Sequence, residues 1–280
     1  MIHRHRDQYP IALMCRVLRV TRSGYYAWRS RPASARQQRD NQLRVVIRAI
    51  FSENQKRYGS VRIHRELRQR QERVSRKRVA RLMVEERLRA RRSRRYRALS
   101  ATERLGPAPH LLQRRFLAPR PNEYWVSDVT ACPTRQGWLY LAVVLDLFSR
   151  RVVGWAAGAS PGQELTVPAL RMALRRRSPA AGLLHHSDRG MHYSGSVYQR
   201  VLADNQITAS MSRGGNCWDN AVAESFFATL KVELVNDAHW ESRTEGLAAL
   251  RQYIEWYNRQ RLHSTLGYRS PADFEASTAA

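Results

Sequence analysis

Three acidic residues stand in surroundings that require a chemical reason. Asp128 interrupts the apolar run YWVSDVT, Asp188 directly follows the short run GLLHHS, and Glu224 stands between AVA and SFF. Three converging carboxylates repel one another unless cations lie between them, and hard oxygen ligands with open coordination positions select Mg²⁺ or Mn²⁺. Two such ions can hold the attacking and leaving oxygens of a phosphoryl displacement. The three acids are therefore candidate metal ligands of a phosphodiester enzyme.

Two other interpretations of the same region remain open from the pattern alone. The acids fit equally well as a buried strand aspartate, a turn aspartate and an exposed helical glutamate with no common role. A zinc cluster could be built from His185, His186, Asp188 and His192. Because His185 and His186 alternate across a strand, at most one of them faces the same side as Asp188, and no cysteine stands close by. We therefore disfavour zinc.

Helical geometry places Glu224 at the edge of an apolar face. At about 100° per residue, one face of its helix collects apolar side chains, namely Ala223, Phe226, Phe227, Leu230 and Leu234. Glu224 falls beside this face, with Lys231 two turns farther along. The glutamate could thus meet carboxylates borne by strands, and the lysine could meet a nearby phosphate.

The elements that must position these acids follow an α/β pattern. Three consecutive strands are predicted, one in YWVSDVTACPT and two in GWLYLAVVLDLFSRRVVGWAAGA, where DLFSR forms the turn. A helix (QELTVPALRMALRRR), a strand (GLLHHSD), a helix (SGSVYQRVLADN) and a strand (ITASMS) follow. Two helices then finish the chain, through DNAVAESFFATLKVEL and RTEGLAALRQYIEWYNRQR. This order predicts a mixed sheet flanked by helices.

The region before the strands is predicted to be entirely helical. YPIALMCRVLRVTRSGYYAWRSRP indicates two short helices around a turn, with Ser23-Gly24 predicted to break the helix, which fits a helix-turn-helix or a simple helical hairpin. Three more helices are predicted between Asn41 and Leu88, the last with Ser75 as its N-cap. The run RARRSRRYR at 89–97 is typical of a basic arm, and the proline-rich run GPAPHLLQRRFLAPRPN is predicted to link two domains.

Charge is distributed very unevenly along the chain. The formal net charge is +26, of which residues 1–120 carry +25 and residues 121–280 only +1. Arginine supplies nearly all of it, and its fork of donors matches phosphate oxygens. Acidic partners at i,i+4 are too few to neutralise the basic helices, so a phosphate-facing surface is expected there.

The composition also bears on the cellular compartment. Cys15, Cys132 and Cys217 are far apart and include no CxxC pair, which fits a reducing cytoplasm. The N-terminus has no apolar segment typical of a signal peptide, and the longest apolar run, WLYLAVVL, is too short to span a bilayer. We expect a cytoplasmic protein with no membrane partner.

Several motifs in the right order resemble one known family over almost the whole chain. The chain resembles the OrfB-type insertion-sequence transposases with a DD(35)E triad in four motifs: WVSDVT, HSDRG, SRGGNCWDNAVAESFFATLKVE and YNRQRLHSTLGYRSP. The segment CRVLRVTRSGYYAWRSRP resembles the N-terminal DNA-binding region of the same family. The spacing agrees, because 35 residues separate Asp188 from Glu224. That family belongs to the retroviral integrase superfamily, which has an RNase H-like catalytic core.

The resemblance implies a complete architecture and mechanism. It implies a basic helix-turn-helix-like region at 1–105, a linker at 106–121, an RNase H-like α/β core with a mixed sheet at 122–235 and a helical extension at 236–280. Asp128, Asp188 and Glu224 would bind two Mg²⁺ or Mn²⁺ ions and catalyse DNA strand cleavage and strand transfer. Asp146 matches a family motif as a structural turn residue. His192 stands where glutamine is more usual, which leaves the detail of that loop open.

The implied partners are DNA and further protein chains. Lys231 matches a position that faces the DNA end, and Asn216, Trp218, Asp219 and Asn220 match the motif that shapes the start of the Glu224 helix. The full set of predicted DNA contacts is Lys231, Arg213, Asn220, Arg22, Tyr25, Arg76, Lys77, Arg91, Arg92, Arg94 and Arg95. A homo-oligomer in a synaptic complex with the terminal inverted repeats and target DNA is expected, together with an OrfA partner or fusion. The alternative is an OrfB-only product that regulates transposition by binding DNA without catalysis.

Overall fold

The structure, a computed structural model, describes residues 1–91, 109, 111–112, 117–212 and 220–278. The chain divides into two compact units, Met1–Arg89 and Ala90–Ala280. None of the helices described is long and apolar enough to cross a membrane. Most of the predicted basic arm and linker lies outside the described residues, so the predicted domain boundaries stay predictions.

The first unit begins with a helical hairpin of α1 (Ile11–Val17) and α2 (Arg22–Ser30). The side chain of Thr21 caps α2 by accepting a hydrogen bond from the Gly24 N–H at 3.0 Å. The turn between the helices thus comes before Thr21, and the Ser23-Gly24 pair predicted to break the helix lies inside α2. The small core of the hairpin consists of Ile2, Cys15 and Tyr25.

Three further helices complete the first unit: α3 (Ala35–Glu53), α4 (Ser60–Gln69) and α5 (Arg76–Glu85). Ser75 caps α5, as the sequence predicts. α3 begins at Ala35 rather than near Asn41, because Ser34 provides an N-cap that accepts from the Gln37 N–H at 3.2 Å. The helices pack through fully buried apolar side chains, which include Leu43, Ile47, Ile50, Ile63, Leu67, Val79 and Leu82.

Acidic side chains pair across helices in this unit. Asp40 of α3 binds Arg78 and Arg81 of α5, at 2.7 and 2.8 Å. A second set of ion pairs joins the same two helices and consists of Arg44, Arg48, Glu85 and Glu86. The sequence suggests that the basic helices lack acidic partners, because only partners within the same helix can be recognised from spacing. That expectation is wrong where α3 faces α5, since there the acidic partners lie on the neighbouring helix.

The second unit is built on a five-stranded sheet with the strand order β3-β2-β1-β4-β5. The strands are β1 (Tyr124–Thr134), β2 (Gly137–Asp146), β3 (Val152–Gly158), β4 (Leu184–Ser187) and β5 (Thr208–Met211). β1, β2 and β3 are antiparallel, whereas β4 is parallel to β1 and β5 is parallel to β4. The predicted mixed sheet is confirmed.

Helices cover both faces of this sheet. They are α6 (Gln163–Arg177), α7 (Met191–Ser194), α8 (Ser196–Asp204), α9 (Ala221–Leu230), α10 (Arg243–Arg259) and α11 (Pro271–Ala276). On β1, Trp125 enters a core with α6 and α8, whereas Val126 enters a second core with α9 and α10. Because side chains alternate along a strand, Ser127 faces the α8 side and Asp128 faces the α9 side.

A π-helix, Lys231–Val235, follows α9 without a break. Its wider turn is closed by a hydrogen bond from the Asn236 N–H to the Lys231 carbonyl at 2.8 Å. Inside it, Glu233 is buried and binds Arg261 at 2.8 Å. The long helix predicted here is therefore α-helical only in its first part.

Asp146 is a structural residue at the end of β2. It is fully buried, and its carboxylate accepts hydrogen bonds from the Asn122 N–H at 2.8 Å and the Phe148 N–H at 2.9 Å. Arg177 lies 3.3 Å from the same carboxylate and also binds Glu275 of α11. This cluster joins the turn after β2 to the C-terminal helix.

Asp40→Asn is expected to lower the melting temperature of the first unit at neutral pH. Hydrogen bonds from Arg81 and Arg78 lower the pKa of Asp40 from 3.8 to about 2. The stabilisation is therefore complete above the ordinary value and is lost as the pH falls through the folded-state pKa. The difference in melting temperature between the parent and Asp40→Asn, measured by circular dichroism, should be largest near neutral pH and should disappear in strong acid.

Asp7→Asn is the matched control for this substitution. The Asp7 side chain is 84% exposed and lies 3.6 Å from Arg6. Its replacement should leave the melting temperature unchanged at every pH. A difference for Asp40→Asn that stays constant down to strong acid would contradict the role of its ion pairs.

Candidate active site

The three predicted acids are carried by elements that meet at one edge of the sheet. Asp128 lies in β1, Asp188 directly follows β4, and Glu224 lies in the first turn of α9. β1 and β4 are parallel and paired from Tyr124 to Val126. Asp128 and Asp188 each lie two residues beyond the last pair, Val126 with His186, so both are at the same end of the paired segment, which is the edge meant here. α9 packs on the face to which Asp128 points.

Electrostatic interactions connect the three acids. Burial and, after it, the charges of Asp188 and Glu224 raise the pKa of Asp128 to about 8, against the opposing effects of a hydrogen bond from the Val129 N–H at 2.8 Å and of Lys231. Burial also raises the pKa of Glu224. The site thus concentrates negative charge that is incompletely compensated by the protein.

Asp188 is held by the turn that follows β4. Its Oδ1 accepts a hydrogen bond from the Gly190 N–H at 2.9 Å, and its side chain is 47% exposed. A Cβ at Gly190 would lie 3.0 Å from that oxygen and 2.5 Å from the ring of His192, so glycine allows this close turn. The turn therefore holds the Asp188 carboxylate in place while leaving about half of its side chain exposed.

The donor set fits a hard divalent cation. Carboxylate oxygens are preferred by Mg²⁺ and Mn²⁺, and a cation among the acids would relieve the repulsion that raises the pKa of Asp128. Within the part of the chain that the structure describes, no three His, Cys, Asp or Glu side chains lie close enough together to hold an ion. The three acids thus lie at the same edge, but their carboxylates are not close enough to one another to surround an ion. The binding of two ions stays a prediction.

The neighbouring histidines have partners other than metals. His185 Nε2 lies 2.8 Å from Ser127 Oγ and 3.0 Å from the Tyr198 hydroxyl, and burial lowers the pKa of His185 to about 3. His186 hydrogen-bonds through both ring nitrogens to serine hydroxyls, those of Ser210 and Ser212. These two histidines occupy positions within the packed sheet.

The loop after Asp188 adds two side chains whose arrangement the sequence does not reveal. His192 Nε2 lies 3.9 Å from Asp188 Oδ1, and its ring packs edge-on against Tyr193 at 4.5 Å between centroids. The Tyr193 hydroxyl is buried without a hydrogen-bond partner among the described residues. Burial raises the pKa of Tyr193, and Tyr198 and the charges of Asp128 and Asp188 add to the rise. An aromatic residue beside HSDRG is the only sequence signal for this neighbour.

The predicted DNA contacts near the acids occupy different environments. Lys231, at the end of α9, lies close enough to Asp128 to oppose the rise of its pKa. Asn220 is buried, and its Nδ2 donates to the Ser127 carbonyl at 3.2 Å. Arg91 donates to the Glu233 carbonyl at 2.5 Å and lies 3.4 Å from Asp237. Arg213, Asn216, Trp218 and Asp219 lie outside the described residues.

The predicted contacts in the basic region are only partly exposed. Arg22, Arg76 and Lys77 are exposed. Tyr25 is a core residue of the hairpin, only 5% exposed, so DNA could not reach its ring without a rearrangement. Arg92, Arg94 and Arg95 lie outside the described residues.

The chain resembles known domain families over most of its length. Residues 118–217 and 205–271 both match the family described as integrase core domain. Residues 38–96 match the family described as HTH-like domain.

Similar proteins cover nearly the full chain. The identity is 43% over 263 residues with the insertion element IS600 uncharacterized 31 kDa protein of Shigella sonnei, covering 93% of this chain and 97% of the relative. It is 41% over 278 residues with the transposase InsF for insertion sequence IS3A of Escherichia coli (strain K12), covering 98% and 96%. Among solved structures, the HTLV-2 integrase catalytic core domain in complex with magnesium matches with a TM-score of 0.44 and 14% identity, covering 56% of this chain and 99% of that domain.

Asp128→Asn is expected to raise the melting temperature of the metal-free protein. The asparagine keeps the size of the side chain and removes a buried charge that Asp188 and Glu224 oppose. Because the folded-state pKa is about 8 and the ordinary value is 3.8, the parent loses stability as the pH rises between those values. In EDTA, the difference in melting temperature between the variant and the parent should therefore grow as the pH rises from about 3.8 to about 8 and stay constant above that.

Asp204→Asn, at the exposed end of α8, is the matched control and should leave the melting temperature unchanged. A lower melting temperature for Asp128→Asn than for the parent in mildly alkaline EDTA would show that the carboxylate stabilises the fold, contrary to this expectation.

Proposed function

Because the chain belongs to the IS3 family of insertion-sequence transposases, which have an integrase core domain, we propose that it is the catalytic subunit that cuts and joins DNA at the ends of its element. The proposal assigns metal binding and catalysis to Asp128, Asp188 and Glu224. One observation carries this assignment: the elements that bear the three acids meet at one sheet edge, where the other two raise the pKa of Asp128.

The acids have distinct parts in the proposed mechanism. Asp128, on the central strand, must lose its proton to become a ligand, and a bound cation would favour that loss. Asp188 and Glu224 approach from a turn and a helix. Two bound divalent ions would supply Lewis-acid activation of the attacking hydroxyl and stabilise the leaving oxygen. Lys231 lies near Asp128 and would hold a phosphate of the DNA end.

No covalent attachment of DNA to the protein is part of this proposal. Water first attacks a phosphodiester at the element end and releases a 3′-hydroxyl. That hydroxyl then attacks a second phosphodiester in the other element end or in target DNA. Each step exchanges one P–O bond for another, so neither a protein nucleophile nor an external energy source is required.

The first unit would bind the DNA ends. Its HTH-like match includes α4, the following turn and α5, whose first residues, Arg76 and Lys77, are exposed. Arg78 and Arg81 are instead held by Asp40. We therefore assign the phosphate contacts of this helix to its first two residues. The complete complex would be a homo-oligomer holding two ends in the bacterial cytoplasm, with an OrfA partner or fusion contributing to end recognition.

A second candidate function is regulation of transposition by DNA binding without catalysis. The observation that favours it is that, among the described residues, the acids do not approach closely enough to hold an ion. If DNA or a second protein chain is needed to draw Glu224 toward the aspartates, the chain alone would bind DNA and leave it intact.

Strand cleavage is the direct test of the proposed catalysis. The parent and Glu224→Gln are incubated with labelled DNA carrying the terminal repeats of the element, in Mg²⁺ and in EDTA. We expect metal-dependent cleavage or joining by the parent and a loss of at least about 100-fold in the variant, because a ligand is removed. Glu255→Gln, an exposed substitution on α10, should retain parental activity. Equal DNA binding without cleavage by any of the three proteins would support the regulator instead.

Substitutions in α5 test the proposed phosphate contacts. Replacing Arg76 and Lys77 together with alanine should weaken binding to all DNA sequences and lower the slope of log affinity against log salt by about 0.9 per lost contact. Alanine at Arg44 and Arg48, which pair with acids of α5, should change the slope little. The assignment is wrong if the two double variants have the same slope.

A further inference from the structure

A buried chain of hydrogen bonds joins the three elements that carry the acids. Asn220 Nδ2 donates to the Ser127 carbonyl at 3.2 Å. Ser127 Oγ lies 2.8 Å from His185 Nε2, and the Tyr198 hydroxyl lies 3.0 Å from the same nitrogen. Each of these four residues is at most 5% exposed. The chain therefore runs from the start of α9 through β1 and β4 to α8.

Members of this chain stand close to the acids in sequence. Asn220 is the N-cap of α9, one turn before Glu224. Ser127 directly precedes Asp128, and His185 lies in β4 shortly before Asp188. A shift of any one of these residues would thus displace the neighbouring carboxylate.

The state of His185 is constant under ordinary conditions. Burial lowers its pKa to about 3, so the ring stays neutral, with Nε2 within hydrogen-bond distance of both neighbouring hydroxyls. The chain of hydrogen bonds therefore does not depend on the pH of an assay in the neutral range.

Backbone pairing alone leaves the acids weakly fixed relative to one another. The register of β1 with β4 ends at Val126 and His186, before either aspartate. α9 contacts β1 through apolar side chains, which lack directional bonds. The bond from Asn220 to Ser127 is the directional contact described between the start of α9 and the strand that carries Asp128.

We propose that Asn220 is a positioning residue that fixes Glu224 against Asp128, and that Ser127, His185 and Tyr198 extend this positioning to the strand before Asp188. The inference rests on the proposed function, because it gives these residues a purpose only if the acids bind metal. Groups that orient metal ligands typically contribute about 10–100-fold to metal affinity or activity when they are removed. The competing role for Asn220 is the DNA contact predicted from the sequence, which would use its buried Oδ1.

Asn258 offers a matched control for a purely structural role. It is also a buried asparagine that binds a strand backbone, since its Nδ2 donates to the Val152 carbonyl and its Oδ1 accepts from the Val152 N–H, both at 2.9 Å. Val152 lies in β3, which carries none of the three acids. Asn258→Ala should therefore lower stability without changing the metal site.

The test compares Asn220→Ala and Asn258→Ala in the full chain with the parent. Mn²⁺ binding is measured by calorimetry without DNA, and cleavage of end DNA is measured in single turnover over a range of Mg²⁺ concentrations. We expect Asn220→Ala to bind Mn²⁺ about 10-fold or more weakly and to need correspondingly more Mg²⁺, with DNA affinity within about twofold of the parent. Asn258→Ala should keep parental values in both assays, at temperatures below its melting transition.

Ser127→Ala provides a second, smaller perturbation of the same chain. It removes the hydroxyl that faces His185, so we expect it to raise the Mg²⁺ concentration needed for cleavage, as Asn220→Ala does. Ser127→Thr keeps a hydroxyl at this position and should need the same Mg²⁺ concentration as the parent. Ser210→Ala, which removes a hydroxyl partner of His186, is its control and should leave the requirement unchanged.

The outcomes separate this inference from the proposed function. If Glu224→Gln abolishes cleavage but Asn220→Ala has parental Mn²⁺ affinity and Mg²⁺ requirement, positioning by Asn220 is wrong and the function stands. If the parent does not cleave DNA but binds Mn²⁺, the affinity comparison alone decides the inference. A loss confined to DNA affinity would make Asn220 a DNA contact instead. If the parent cleaves DNA but binds no Mn²⁺ in the absence of DNA, the Mg²⁺ requirement decides the inference, and a parent that neither binds Mn²⁺ nor cleaves DNA overturns both proposals.

Discussion

The parallel pairing of β1 with β4 is the constraint on which the second unit depends. It is short, from Tyr124 to Val126 on one strand and from Leu184 to His186 on the other, and it ends before either aspartate. Because the strands run in the same direction, Asp128 and Asp188 each follow the pairing by two residues at the same end of it, Asp128 still within β1 and Asp188 just after β4. Without this pairing Asp128 and Asp188 would lie at unrelated places, and α9 would have no common target for Glu224. The raised pKa of Asp128 is the energetic consequence of gathering these charges at a partly dry edge.

The two units differ in how their charge is distributed. The first region carries nearly the whole net charge, yet part of its arginine is used to hold α3 and α5 together through Asp40, Glu85 and Glu86. Net charge therefore overstates how many arginines can face DNA, and the position of each one in the fold decides its role. The second region is nearly neutral in total, but three of its acids, Asp128, Asp188 and Glu224, are close enough to interact electrostatically, so local charge rather than net charge governs what binds there.

Elements with a strong local pattern could be predicted from the sequence, and contacts between distant segments could not. The first strand and the helix Gln163–Arg177 have the predicted bounds, because apolar periodicity and clear breaks mark both ends. The burial of Tyr25 and the binding of Arg91 to Asp237 depend on packing that basic composition does not reveal. The acids could be proposed from their surroundings and the family resemblance. The Asn220–Ser127–His185–Tyr198 chain could not, since its members come from four separate segments and only folding brings them together.

The π-helix Lys231–Val235 has a consequence for how the chain tolerates insertion and deletion. A π turn contains an extra residue compared with an α turn, so it absorbs an inserted residue without rotating what lies on either side. Here α9 is anchored upstream by buried phenylalanines, and Glu233 is anchored within the segment by Arg261 and Tyr253. Deleting one residue between these anchors would rotate α9 by about 100° relative to Glu233. Either the packing of the helix that carries Glu224 or the buried ion pair of Glu233 with Arg261 would then be lost. The number of residues in this segment is therefore constrained as well as their types. Lys231 is the residue at which the α-helix passes into the π-helix.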